Sequence, residues 1–257
     1  MSNRTGFIKS SEPVYKNLDF DKLLSTIARL RRRIEERFPE SRLKCVSSEL
    51  IDMAEKSRTD VHWIKKPNKL LRAAVGLIIL LTFSLIGYSW QLIDINEAPL
   101  TQITLITMSE SIFNNLILAG AGTFFLLTLE TRIKRSRVLR SLHHLREMAH
   151  VIDMLQLTKD PYFASGRGIS TESSPERTMT IFELQRYLDY CSETLSLVGK
   201  LSALYAQHFP DQVVTSAVNE VELLCSSLSN KIWQKIMIAN NLEKSQDISS
   251  DALQQTT

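Results

Sequence analysis

Two stretches decide the fold, AAVGLIILLTFSLIGYSW at residues 73–90 and SIFNNLILAGAGTFFLLTL at residues 111–129. No Asp, Glu, Lys or Arg interrupts the 21 positions from Ala73 to Ile93 or the 19 from Ser111 to Leu129. At the rise of an α-helix each run is about 30 Å long, the thickness of bilayer hydrocarbon. A core helix of a soluble domain seldom needs so long an uncharged run. Both are therefore expected to be transmembrane helices, bounded at 69–93 and 111–130 with their flanking turns. Tyr88 and Trp90 carry ring types that favour the headgroup level, which puts one interface near residue 90. Asn114 and Asn115, early in the second run, need a neighbouring helix or a polar surface to satisfy their amides. They are candidates for a helix contact or, with Ser111 and Thr123, for the lining of a pore.

Charge at the borders sets the direction of crossing. Lys65, Lys66, Lys69 and Arg72 precede the first run, and Arg132, Lys134, Arg135, Arg137 and Arg140 follow the second. The connection between them holds only Asp94, Glu97 and Glu110. Basic residues stay on the inner side, so both termini are expected in the cytoplasm, with the protein integral to a plasma membrane of the bacterial inner-membrane kind. Residues 94–110 form the short extracytoplasmic loop, too small for an external domain. Residues 1–72 carry 17 Lys plus Arg against 10 Asp plus Glu, which concentrates positive charge where anionic lipids sit. Lys65, Lys66, Lys69, Arg72, Arg132, Lys134 and Arg135 are the candidate lipid contacts. No nucleic-acid-binding motif accompanies this charge, and no nucleic-acid partner is expected.

The flanking regions read as helices. Residues 1–17 are polar and expected to be disordered, and residues 18–68 hold the amino-terminal helices. In the first of these Phe20, Leu23, Leu24, Ile27, Leu30, Ile34 and Phe38 repeat at three and four, and Pro39 ends it. A second starts near Ser47, with Ser47 or Ser48 as its cap, and Pro67 separates it from the membrane. After the second run no Gly or Pro interrupts residues 123–160, so a helix continues over 131–160. A loop over 161–174 leads to a helix start at Ser174-Pro175-Glu176 and a helical hairpin over 175–242. Its first arm repeats Ile181, Leu184, Leu188, Cys191, Leu195, Val198, Ser202 and Tyr205 at a period of 3.5, a bundle or coiled-coil seam. Its second arm presents Val214, Ala217, Val221, Leu224, Leu228, Ile232 and Ile236. Residues 243–257 are expected to fray. The fold class is thus an all-α membrane protein, a two-helix transmembrane hairpin with a cytoplasmic helical bundle built from amino- and carboxy-terminal segments.

Chemistry is sparse. His143, Glu147 and His150 fall on one stripe with Asp153 at its edge, a polar face that suits solvent, a pH-sensitive seam or a shared transition metal. No Glu stands between two His at metallopeptidase spacing, and no nucleophile elbow, phosphate loop or dinucleotide fingerprint is present. No enzymatic activity and no cofactor are expected. Cys45, Cys191 and Cys225 are odd in number and widely spaced, which suits reduced thiols. The sequence therefore points to a self-associating scaffold or signalling component with a cytoplasmic interaction domain. Its expected partners are the bilayer, further copies of itself and a cytoplasmic protein. The alternative is a homo-oligomeric channel or pore-forming effector. In layout alone that alternative resembles the small two-span effector modules of bacterial defence systems, with no shared motif.

Overall fold

The structure, a computed structural model, describes residues 18–91, 102–166, 168, 171–172, 174 and 179–254. Among them there is no strand. The helices are α1 (Phe20–Arg37), α2 (Arg42–Lys65), α3 (Lys69–Gln91), α4 (Gln102–Leu157), α5 (Pro161–Ala164), α6 (Ile181–His208) and α7 (Gln212–Gln254). They divide into two units, Met1–His62 with Leu139–Thr257, and Trp63–Val138. The expectation of disorder at 1–17 lies outside the described residues, as does the part of the connection from 94 to 101.

The first unit is a helical bundle. Asp19 opens α1 from an extended backbone, its carboxylate accepting from the N–H groups of Asp21 and Lys22 that the first turn leaves unpaired. Leu23, Ile27, Leu30 and Ile34 then bury one stripe, and Phe38 closes the helix by donating its N–H to the Ile34 carbonyl. The Phe38 ring stands edge-on to Tyr187 and Tyr190 of α6, with centroids 5.5 and 6.2 Å away. Arg33 reinforces the same contact, 2.8 Å from the Glu193 carboxylate and stacked over Tyr190.

α6 is the centre of this unit. Sixteen of its 28 residues are buried, more than one neighbour could cover. It packs against α1, α5 and α7. All eight positions of its expected seam, from Ile181 to Tyr205, are buried. On α7 the buried line runs Val214, Val218, Val221, Cys225, Leu228, Ile232 and Ile236. Ala217 and Leu224, which the sequence assigned to that seam, lie at its half-buried edge. The heptad pattern is therefore satisfied within a single chain. Buried hydroxyls on α6 are also paired: Tyr205 donates to the Ser57 hydroxyl of α2 at 2.8 Å, and Thr194 and Ser202 donate to carbonyls of their own helix.

Several boundaries differ from the sequence reading. α2 begins at Arg42, so Ser47 and Ser48 are interior residues that donate back to the Lys44 carbonyl instead of capping. α4 begins at Gln102, so residues 102–110 are helical where an external loop was expected. Residues 161–164 form a short helix capped by Asp160. The cap of α6 is Thr180: its hydroxyl accepts from the Glu183 N–H, and the Glu183 carboxylate accepts from the Thr180 N–H. This reciprocal capping box satisfies two donors at once and takes the place of the expected start at Ser174. α7 continues to Gln254, through most of the expected tail.

Candidate membrane hairpin and its basic collar

The second unit contains the end of α2, then α3, and α4 as far as Val138. α3 and α4 run in opposite directions. Arg72, one turn into α3, meets Glu130 far along α4, whereas Thr82 shares a cleft with Asn115 nearer the start of α4. Both helices are long and apolar enough to cross a membrane. In the uncharged runs of these helices most apolar side chains point outward: Leu80 is 66 % exposed, Leu118 74 % and Phe124 67 %, with Val75 buried as an exception. Of the two most apolar stretches, one is 6 % buried and the other not at all. A soluble core helix would show the reverse.

At one end of the hairpin a single carboxylate organises the backbone. Glu130 accepts from the Arg72 guanidinium at 2.7 Å, from the Lys134 ammonium at 2.9 Å and from the Asn68 N–H at 3.1 Å. Lys134 also donates to the Lys66 carbonyl at 2.9 Å. The Glu130 and Lys134 side chains are only 14 % and 11 % exposed, so each needs the other. The Lys66-Pro67-Asn68 elbow is thereby fixed to α4. Beside it, Arg137 stacks over the half-buried Trp63 at 4.7 Å from the ring centre.

This clamp sorts the candidate lipid contacts. Lys134 is buried against Glu130, while Arg72 pairs with the same carboxylate through Nε and keeps most of its side chain exposed. Lys65, Lys66 and Lys69 are exposed, Arg132 is exposed over the Phe125 ring, and Arg135 is half-buried. The involvement of Glu130 was not anticipated, although its spacing of four from Lys134 is a legible helix pair.

The amides separate as well. Asn115 lines a cleft of about 280 Å³ between α3 and α4, together with Ile79, Thr82, Ala119 and Thr123. Asn114 is exposed outside that lining. The side chain of Ser111 lies outside the described residues.

In the helical unit the stripe on α4 contracts to one turn. Glu147 bridges two imidazoles, His143 Nε2 at 3.1 Å and His144 Nδ1 at 3.2 Å, and all three side chains are exposed. His150 is exposed and takes no part, while Asp153 accepts from Gln156 at 2.7 Å. Among the described residues no group of three His, Cys, Asp or Glu side chains is spaced to hold a metal ion. The cysteines are free thiols, with Cys45 exposed and Cys191 and Cys225 buried. Burial pushes the Cys191 thiol up to about 12 and the Cys225 thiol up to about 11, which makes both poor nucleophiles. No family model, curated protein or solved structure matches the chain.

Proposed function

We propose that the chain is an integral membrane protein that crosses the bilayer twice through α3 and α4. In this reading both termini lie in the cytoplasm, and the helical bundle is a cytoplasmic interaction domain of a self-associating scaffold or signalling component. The observation that carries it is the inversion of exposure in the second unit, where side chains such as Leu80, Leu118 and Phe124 face outward. Water would make that surface costly, at about 25 cal/mol for each Å² of apolar area, and lipid removes the cost. The borders support the orientation. Nine bases flank the two runs, from Lys65 to Arg72 and from Arg132 to Arg140, against the single acid Glu130, whose charge is already matched by Arg72 and Lys134.

The bundle does not need another copy to fill its seams, because α6 is already surrounded. Association with partners then falls to its outer faces, where Trp233, Met237, Met154 and Leu157 remain exposed. Alkaline carbonate treatment of membranes tests the crossing: the protein stays with the lipid, and release into the supernatant overturns the reading. A reporter fused near residue 102 tests the orientation by being active only outside the cytoplasm. Chemical cross-linking in membranes tests self-association by a mass of two or more chains.

A pore is the second reading, favoured by the clustering of Thr82, Asn115 and Thr123 along one cleft. It requires purified protein to conduct in planar bilayers, with currents lost when Asn114 and Asn115 become Leu. Silence over a range of pH and added ligands overturns it.

A further inference from the structure

The elbow at Pro67 carries three lysines, Lys65, Lys66 and Lys69, whose side chains are all exposed and make no ion pair among the described residues. Their backbone is not free to wander. The Lys66 carbonyl accepts from Lys134, and the N–H of Asn68 donates to Glu130. Glu130 is the one acid in residues 61–93 and 111–138, and it would be the natural local partner for these ammonium groups. Arg72 and Lys134 already occupy it. The elbow therefore carries three lysines without an ion pair among the described residues on a fixed backbone, a charge that suits an anion from outside the chain.

The neighbouring side chains say what kind of anion. Leu70, next to Lys69, is 82 % exposed, and Ile133, between Arg132 and Lys134, is exposed as well. A soluble phosphate gains nothing from such surfaces. A molecule with an anionic head and a hydrocarbon tail satisfies both.

From this juxtaposition we infer that the Pro67 elbow is a binding site for the headgroup of an anionic phospholipid, with Lys65, Lys66 and Lys69 as its phosphate ligands and Leu70 against the acyl chain. This rests on the two-span reading given above. It goes beyond the general attraction of basic borders to the inner leaflet, because it assigns the contact to three residues and withdraws it from the buried Lys134. The site commits to a lipid and not to a free ion.

The test uses the full chain purified in an uncharged detergent, titrated with phosphatidylglycerol or phosphatidylcholine. Bound lipid is read by native mass spectrometry and the unfolding midpoint by thermal denaturation. Phosphatidylglycerol is expected to be retained and to raise the midpoint, and phosphatidylcholine to do neither. The K65Q/K66Q/K69Q variant should lose roughly a hundredfold in preference for the anionic lipid, about fivefold for each lysine. The K65R/K66R/K69R variant keeps the charge and should keep the preference. Glutamine at the exposed Lys200, Lys231 and Lys244 of the helical unit should leave it unchanged. Equal binding by the glutamine and wild-type elbows overturns the inference, and so does an equal midpoint shift with inorganic phosphate alone. Retention in carbonate-washed membranes separates the two failures. A chain that stays in the membrane yet does not distinguish the lipids defeats only this site, whereas a chain that is stripped defeats the two-span reading and the site with it.

Discussion

The two units use the same apolar alphabet in opposite ways. In the bundle Leu188, Leu195 and Leu201 of α6 are sealed from solvent, whereas in the hairpin Leu77, Leu80 and Leu118 lie on the surface. The bundle sends most of its charges outward, buries the Asp60 carboxylate against the Ser141 hydroxyl that donates to it, and pairs its few buried hydroxyls, as Tyr205 does with Ser57. The hairpin draws a carboxylate and an ammonium inward at one end and leaves its hydrocarbon outside. The difference teaches that composition alone does not define an inside. What matters is the medium each face has to meet.

The sharpest way to break this comparison is to ask whether the bundle core is closed. At pH 8 a thiol held at about 12 carries on the order of a thousandth of the thiolate of a free one. Maleimide should label the exposed Cys45 far ahead of Cys191 and Cys225, and similar rates at all three would show the core open. The same burial gives a sign for alkaline stability. Between the ordinary thiol value near 9 and about 12, the folded chain keeps a proton on Cys191 that the unfolded chain releases. Stability is therefore fully present below that window and falls as pH rises through it.

Core truncation gives the next largest contrast. Leu188→Ala should cost about 2–5 kcal/mol in the unfolding of the bundle, while Leu80→Ala should cost under about 0.5 kcal/mol. Equal losses in denaturant titrations would erase the distinction between the units. Glu130→Gln strands the poorly exposed Lys134 and should lower the stability of the hairpin by about 1–3 kcal/mol. A midpoint unchanged in uncharged detergent would mean that the clamp is idle. Smallest is Thr180→Ala, which removes the hydroxyl that caps α6 and should cost about 1 kcal/mol, with the helix otherwise intact by circular dichroism.

Much of this fold is legible in the sequence because a helical stripe states its own period. The α1 positions Leu23, Ile27, Leu30 and Ile34, and the α6 line from Ile181 to Tyr205, are buried where their spacing puts them. What spacing leaves open is the identity of the partner, since a heptad seam looks the same whether it meets another copy or another part of its own chain. The early start of α4 was hidden because Gln102, Thr104, Ser109 and Glu110 resemble loop composition. No Gly or Pro lies between Pro99 and Gly120 to break a helix there, and that was the signal available. Thr180-x-x-Glu183 is a legible capping-box pattern that competes in the sequence with the proline at 175. The meeting of Glu130 with Arg72 depends on two helices folding together, and no local pattern announces it.

The bundle is assembled from two pieces of chain that flank the hairpin, Met1–His62 and Leu139–Thr257. During synthesis the greasy stripe of α1 leaves the ribosome more than a hundred residues ahead of α6, the helix that covers it. Under the two-span reading, insertion of the hairpin comes between these events, so the nascent amino-terminal helices wait uncovered while the bilayer is being threaded. Shielding by a chaperone, or by the membrane surface itself, is the requirement this order of manufacture imposes.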